Sequence, residues 1–319
     1  MSDIRFGIIG AGGIANTFAE AASMTEGAVV TAVASSSMDR AAIFAARHQI
    51  PQAFGSYEEM LQKADIDAVY IATTHNFHMD NIRLCLQYKK HILCEKAMVL
   101  TADDAREAFR LAKEQNCFLM EAMWSRFLPQ YQKAKEWIDT GRIGKIQLVS
   151  SLIGFKGSSD PKNRIINPDL AGGALYDIGV YAIEPLTWLI GEPVTDVIGV
   201  WRPHPVTGVD ERVTMILRFE SCDAALQCLV SAPTKEYVTI VGDKGTIELP
   251  FVSNGHTIRL YGEKRELVEE FTDNWKNGFV YELREVIDCI HSGRITSNTM
   301  PPEATIQCCE IYDKLLRGE

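Results

Sequence analysis

Ile4-Arg5-Phe6-Gly7-Ile8-Ile9-Gly10-Ala11-Gly12-Gly13-Ile14-Ala15 lies near the start of the chain, and its reading decides how the remainder is understood. The run Ile4 to Ile9 is continuously apolar, as a strand buried on both faces must be, and an alanine-rich helix is expected from about Ile14 to Ala22. Between them stands G-x-G-x-x-A in the strand-to-helix context the motif requires. Gly10 permits the tight turn, Gly12 lets the backbone approach a pyrophosphate, and Ala15 is small enough for close packing of helix on strand. The helix N-terminus then faces the negative charge, and Gly13 and Ile14 complete the stretch expected to touch a dinucleotide.

Working outward, strand and helix alternate. Val29 to Ala34 reads as the second strand, and where an NAD enzyme usually carries an acid this chain has Ser35-Ser36-Ser37 with Arg40 one turn later. Ser35, Ser36 and Arg40 suit a 2′-phosphate, so NADP is expected, with NAD as the alternative. Ser37 also reads as the N-cap of a helix from Met38 to His48. Asp67 to Ala72 is another buried strand, and Thr73-Thr74-His75-Asn76-Phe77-His78 follows at its carboxyl end. Thr73, Thr74, His75, Asn76 and His78 are therefore candidate cofactor contacts. The next strand is His91 to Cys94, inside Ile92-Leu93-Cys94-Glu95-Lys96-Ala97-Met98. Glu95 and Lys96 put opposite charges at a strand's carboxyl end, where open α/β sheets bind ligands. Both are expected beside the cofactor, with Lys96 joining cofactor to substrate.

A helix from Thr101 to Gln115 and a strand from Cys117 to Met120 end the alternation. Glu121 to Pro129 reads as a crossing segment in which Trp124, Arg126 and Phe127 are candidate substrate contacts. Pro129 opens a helix, and beyond Gly144 runs at hairpin spacing predict a large, mostly antiparallel sheet. The expected organisation is an α/β Rossmann domain over 1–122 followed by an α+β domain over 123–319. A helix from about Gly173 to Leu189 carries Asp177 and Tyr181, which i,i+4 spacing would place on one face. Ala224 to Ser231 and Tyr237 to Val241 carry apolar residues at too many positions for a sheet with one wet face, so a homodimer or higher oligomer through this sheet is expected.

The 319 residues are 46% hydrophobic and 23% charged with a net charge of −10, which argues against nucleic acid or an anionic membrane as partner and favours a small molecule. The N-terminus runs into a strand without an apolar signal region, and no stretch approaches the roughly 20 apolar residues of a span, so a cytoplasmic protein is expected. Eight cysteines without a C-x-x-C pair read as reduced core residues. His75 and His78 form H-x-x-H without a third ligand at recognisable spacing, and no metal is expected.

Gly10 to Ala15, Cys94-Glu95-Lys96, Glu121 to Pro129, Gly172-Gly173-Ala174-Leu175-Tyr176-Asp177-Ile178-Gly179-Val180-Tyr181 and Gly278-Phe279-Val280-Tyr281-Glu282 together resemble the glucose-fructose oxidoreductase and inositol dehydrogenase family (Gfo/Idh/MocA). The last three look nearest to its dimeric dihydrodiol dehydrogenase branch. The resemblance implies that the C-terminal sheet is open-faced, and it implies NADP-dependent hydride transfer with sugars, polyols or trans-dihydrodiols. It also implies that Lys96 and Tyr181 act on the reacting hydroxyl, with Asp177 beside them. Two departures stand out: Ala97 follows Lys96 where the family usually has proline, and Tyr181 stands where many sugar-oxidising members have histidine. Tyrosine, with an ordinary pKa of about 10, serves as a base near neutrality only beside a cation, and Lys96 could supply one. The rival expectation is a non-catalytic NAD(P)-binding regulator or sensor, which would keep Gly10 to Ala15 but need not keep Lys96.

Overall fold

The computed structural model describes Ser2 to Gly318. The chain forms two compact units: Met1–Val99, Asp103–Trp124 and Lys276–Thr305 make the first, and Leu100–Ala102, Ser125–Trp275 and Ile306–Glu319 the second.

The first unit opens as β1 (Ile4–Ile9), α1 (Gly13–Ser23), β2 (Ala28–Ala34), α2 (Met38–His48), β3 (Gln52–Phe54), α3 (Tyr57–Lys63), β4 (Ala68–Ile71), α4 (His78–Gln87), β5 (His91–Glu95), α5 (Ala102–Glu114, whose first residue counts with the second unit) and β6 (Leu119–Ala122). The six strands form one parallel sheet in the order β3-β2-β1-β4-β5-β6, the doubly wound arrangement with β1 beside β4. β4 and β6 are buried throughout, which is why these strands read as continuous apolar runs. Phe18 of α1 stacks on Tyr70 of β4 with ring centroids 3.9 Å apart, and Phe6 meets Phe18 edge-on at 5.6 Å. That aromatic stack is the packed floor from which the Tyr70 hydroxyl reaches the end of β5.

The second unit contains α6 (Pro129–Asp139), β7 (Ile146–Gly154), a π-helical turn over Leu175–Gly179 continuing into α7 (Val180–Ile190), and then β8 (Asp196–Pro203), β9 (Asp210–Arg218), β10 (Asp223–Leu229), β11 (Tyr237–Gly242), β12 (Gly245–Leu249), β13 (Thr257–Gly262) and β14 (Leu267–Thr272). Its eight-stranded sheet runs β14-β13-β12-β11-β7-β10-β9-β8, antiparallel except where β7 pairs with β10. The strands alternate: Val213, Met215 and Leu217 of β9 are buried on the face that α7 helps to cover, while Thr214, Ile216 and Arg218 are exposed. β10 alternates as cleanly, burying Ala224, Leu226 and Cys228 and exposing Ala225 and Gln227, so its apolar run is no sign of a second covered face. The exposed apolar side chains come from neighbours instead, with Ile198 of β8 opposite Ile216 of β9, and Val200 and Leu148 on the same sheet.

After β14 the chain returns to the first unit through α8 (Phe279–His291), and α9 (Pro302–Tyr312) follows. The apolar face of α8 packs on α1, Ile287 closes over Gly27, and Asn277 Nδ2 donates to the Thr17 carbonyl at 2.8 Å. The sequence division at 122/123 thus falls close to the observed crossing near Trp124, but its assignment of everything beyond to one domain is corrected by residues 276–305. An amphipathic helix declares that it has a face to bury; it does not declare against which partner.

Candidate active site

The strand-to-helix turn has the shape a dinucleotide needs. Gly10 has φ +100°, and a Cβ there would meet the Ala72 carbonyl oxygen at 2.8 Å, so only glycine fits between the ends of β1 and β4. Gly12 and Gly13 are exposed, nothing lies within 4 Å of a Cβ placed at Gly13, and no side chain among the described residues caps the α1 N-terminus. The first helical N–H groups therefore face open space, which suits a pyrophosphate. Ile14 is exposed beside them and Ala15 is fully buried against the sheet.

At the end of β2 the three serines divide their work. Ser37 caps α2 by accepting from the Arg40 N–H at 3.4 Å, and Ser36, exposed, accepts from Arg40 Nη2 at 2.8 Å. The cap and the cation expected of this segment are both present. Ser35 differs from expectation: it is buried, and its hydroxyl accepts from the Ser37 N–H at 3.4 Å, so it shapes the turn rather than facing a ligand.

The loop after β4 and the end of β5 are stitched together. His75 Nε2 lies 3.1 Å from the Lys96 carbonyl oxygen. His78 Nδ1 lies 3.0 Å from the Ala97 carbonyl and 3.2 Å from that of Met98, with its Nε2 3.0 Å from the Thr73 carbonyl. Burial lowers the His78 pKa, and the carbonyl oxygens that face both ring nitrogens oppose that shift. Both histidines are internal fasteners, and the fully buried His78 is withdrawn as a cofactor contact. They hold the backbone on either side of the Lys96-Ala97 peptide, which is cis. Thr73 Oγ1 accepts from Asn81 Nδ2 at 3.1 Å, and the Thr74 hydroxyl donates to Asn76 Oδ1 at 2.7 Å.

Behind half-buried Lys96 lie three buried acids. Glu95 belongs to β5 itself, accepts from the Tyr70 hydroxyl, and takes the Lys96 N–H at 3.3 Å, so it supports the lysine from inside the sheet instead of reaching for cofactor. Glu121 accepts from the Met98 N–H at 2.9 Å and from the Thr305 hydroxyl at 2.8 Å. Glu282 of α8 is 0% exposed; burial first, and then the Glu95 charge, push its carboxyl well above the usual range. Neither Glu121 nor Glu282 had been singled out from sequence, although both stand in stretches that carried the family resemblance.

In the second unit Asp177 and Tyr181 do not sit on a regular helix. Asp177 lies inside the π turn and is buried, while half-buried Tyr181 lies in the first turn of α7. The regular helix expected from Gly173 to Leu189 is therefore corrected; a single π turn widens it where functional side chains are often placed. Asp177 Oδ1 accepts from Arg164 Nη1 at 2.8 Å, an arginine of the polar loop that sequence reasoning passed over. The neighbouring Tyr176 is occupied elsewhere: its hydroxyl donates to the Leu100 carbonyl at 3.3 Å and accepts from Arg317 at 3.1 Å, and burial pushes it up to about 12. Asp210, at the start of β9, accepts from the Leu175 N–H at 2.6 Å, and burial raises its carboxyl to about 7.

Arg126 is the clearest correction. It is 2% exposed and donates to the side chain of Glu184, itself 0% exposed, at 2.6 Å and to the Glu184 carbonyl at 2.7 Å, so it holds α7 from within rather than walling a substrate pocket. Phe127 is buried too. Trp124, half-buried in the first unit, lies tilted against Phe279 with ring centroids 5.3 Å apart.

Residues 4–123 match an oxidoreductase family with an NAD-binding Rossmann fold, GFO/IDH/MocA, and residues 131–248 match the C-terminal domain of that family. Trans-1,2-dihydrobenzene-1,2-diol dehydrogenase of Xenopus tropicalis is 34% identical over 324 residues, covering 98% of this chain and 97% of its own. The mouse (Mus musculus) enzyme of the same name is 32% identical over 320 residues, covering 98% and 95%. Among solved structures, aldose-aldose oxidoreductase from Caulobacter crescentus superposes with a TM-score of 0.89 at 24% identity, covering 99% of this chain and 98% of that one. A 3-ketoreductase from Actinomadura kijaniata, solved with NADP and TDP-benzene, gives 0.90 at 24% identity over the same shares.

Proposed function

This chain belongs to the GFO/IDH/MocA oxidoreductase family and is an NAD(P)-dependent oxidoreductase acting on a hydroxyl of a small molecule, and on that premise we propose that its substrate is a trans-dihydrodiol or a related cyclic diol or sugar, oxidised with NADP. The Gly10 to Ala15 turn would hold NADP, with Ser36 and Arg40 the residues that would meet its 2′-phosphate, and the bound cofactor would supply the hydride acceptor. The protein's part is proton movement. As the carbinol C–H electrons leave with the hydride, the O–H proton passes to Tyr181, whose phenolate is favoured by the Lys96 ammonium, or to Lys96 itself. Asp177 orients a substrate hydroxyl, with Arg164 keeping its carboxylate in place. Trp124 contributes an apolar wall. Tyrosine in place of histidine at 181, together with the full-length similarity to the dihydrodiol dehydrogenases, favours the diol over inositol or glucose.

The observation that carries the reading is that one chain keeps both the open Gly12-Gly13 turn and a Lys96 whose backbone is fixed by His75 and by Glu95. A pure cofactor sensor has no use for the second. The deciding experiment is NADPH formation from trans-1,2-dihydrobenzene-1,2-diol, run beside a panel of sugars, polyols and dicarbonyls. Turnover of the diol is expected; tight NADP binding without turnover on any member of the panel would point to the sensor.

Two further attributes go with this reading. A homodimer through the eight-stranded sheet would cover Leu148, Ile198, Val200, Ile216 and Tyr237, large apolar side chains that the single chain leaves exposed. Light scattering at micromolar concentration should show a dimer, and a single monomer peak would remove the idea. The compartment proposed is the cytoplasm, on the ground that Cys85, Cys94, Cys117, Cys222, Cys228 and Cys289 are buried thiols outside any disulfide. No helix among the described residues is long and apolar enough to cross a membrane.

A further inference from the structure

The helix that bears Asp177 and Tyr181 begins at Gly172-Gly173-Ala174-Leu175, and nothing local caps it: no side chain next to its start accepts its first N–H groups. The start is instead wedged from two directions. A Cβ at Gly172 would come within 2.8 Å of the carbonyl oxygens of Arg164 and Ile165 and of the Asn167 nitrogen. The Gly173 N–H donates to the Ile165 carbonyl at 2.8 Å. From the other side comes Asp210, 35 residues further on at the first position of β9 and 4% exposed. Its Oδ2 accepts from the Leu175 N–H at 2.6 Å, and a Cβ at Gly173, whose φ is +134°, would collide with its carboxylate.

We infer that Asp210 is a positioning residue for the reaction: a cap delivered from the sheet that fixes where the π turn starts and hence where Asp177 and Tyr181 point. The inference rests on the proposal that Tyr181 moves the hydroxyl proton. An N-cap carboxylate normally comes from the residue just before the helix; here that place is occupied by glycines, which give no side chain and whose conformation only the wedge defines. The Asp177 N–H in turn donates to the Gly173 carbonyl at 3.2 Å, so a shift of Gly173 is passed to Asp177 within one turn and to Tyr181 in the next. Burial raises the Asp210 carboxyl to about 7 although the backbone amides of Ala174 and Leu175 oppose that shift, so its hold on the helix start rests on the contact geometry and not on a full negative charge. Asp210 touches neither substrate nor cofactor in this scheme; it acts through Tyr181.

The test is a double-mutant cycle on the full-length enzyme, assayed with NADP and trans-1,2-dihydrobenzene-1,2-diol. Asp210→Ala is expected to lower kcat about 10-fold or more with NADPH affinity unchanged, and Asp210→Asn, which keeps an acceptor for the Leu175 N–H, to stay within about 3-fold of wild type. In the Tyr181→Phe background Asp210→Ala should cost less than about 2-fold more, because two residues acting through one proton transfer are not additive. If Asp210→Ala fails to fold, Asp210→Ser, which keeps a polar but shorter side chain, takes its place in the cycle. Losses that multiply fully, or wild-type kcat in Asp210→Ala (or in Asp210→Ser where that variant replaces it), would overturn the inference. Full kcat in Tyr181→Phe alone would instead remove the role given to Tyr181, a result that the cycle separates from failure of Asp210.

Discussion

The two sheets of this molecule handle polar residues in opposite ways. In the parallel sheet both faces are covered, so β4 and β6 bury every residue, and polar side chains accumulate where the strands stop: Thr73, Glu95 and Lys96. In the antiparallel sheet β9 and β10 wet every second residue, polar side chains are spread along the strands, and the proposed proton-handling residues Asp177 and Tyr181 lie on a helix instead of at a strand end. A charge at the end of a buried strand is therefore informative about function, whereas a charge within an alternating strand is not. The first unit fixes its key residue through backbone contacts around Lys96; the second fixes Asp177 through side chains, Arg164 and, by way of Gly173, Asp210.

The largest effect should come from the strand end. Lys96→Ala removes a charge and a proton carrier at once, and kcat is expected to fall by about 10²- to 10⁴-fold, with NADPH affinity changed far less. Stopped-flow cofactor titration beside steady-state rates separates the two. Near-wild-type kcat would mean that the strand end in the first unit does not carry the chemistry, and the contrast between the two sheets would lose its functional meaning.

Next in size is a stability effect confined to the helix-on-sheet side. Arg126 and Glu184 are both removed from water, so truncating one partner leaves the other as a buried, uncompensated charge. Arg126→Ala should cost about 3–5 kcal/mol. Replacing both with leucine should recover much of that loss, since apolar packing avoids the desolvation of two ions. Denaturant melts of the single and double variants test this; a single variant as stable as wild type would show that Arg126 is not held by Glu184 and is free to meet substrate, as expected from sequence.

How much of this was legible follows from the same contrast. The Gly10 to Ala15 turn, α2 with its Ser37 cap, and most strands of both sheets could be read because each depends on residues close in sequence. β3 is three residues long and gives no periodic signal. β6 was expected two residues too early because Glu121 reads as a polar stop, yet the Met98 N–H and the Thr305 hydroxyl let that acid be buried inside the strand. Arg126 was expected to face substrate because nothing local reveals Glu184, 58 residues away. Asp210 and the π turn were invisible for the same reason: the hydrogen bonds that create them join segments that periodicity treats as independent.

A moderate effect is expected at the edge of the first unit. Arg40 is exposed and held near Ser36, with no buried partner to lose, so Arg40→Ala should leave stability within about 0.5 kcal/mol of wild type. Its loss should weaken NADP by roughly 10-fold, the order of one charge-assisted contact of about 1.5 kcal/mol, and leave NAD nearly unchanged. Equal losses for the two cofactors would show that the phosphate is held elsewhere.

The last effect is set by pH and belongs to Glu282, and it asks whether the first unit tolerates a second negative charge behind Lys96. Burial and the Glu95 carboxylate both raise the Glu282 carboxyl, so in the folded protein it keeps its proton at pH values where the unfolded chain, with an ordinary value of about 4.3, has lost it. The folded state then binds more protons, and stability from this group is complete below that unfolded value and declines as pH rises toward the folded one. Each pH unit in that window removes about 1.4 kcal/mol. Glu282→Gln is neutral at every pH and has no such decline. Its melting temperature relative to wild type should therefore climb as pH is raised from 5.5 to 8.5, by roughly 2–4 °C for each kcal/mol. At the acid end the wild type should be the more stable, because a carboxylic acid leaves one buried donor to satisfy where an amide leaves two. Parallel melting curves across that range would mean that Glu282 is ionised in the folded protein and that Lys96 stands above two negative charges, with the phenolate-stabilising role assigned to it correspondingly weakened.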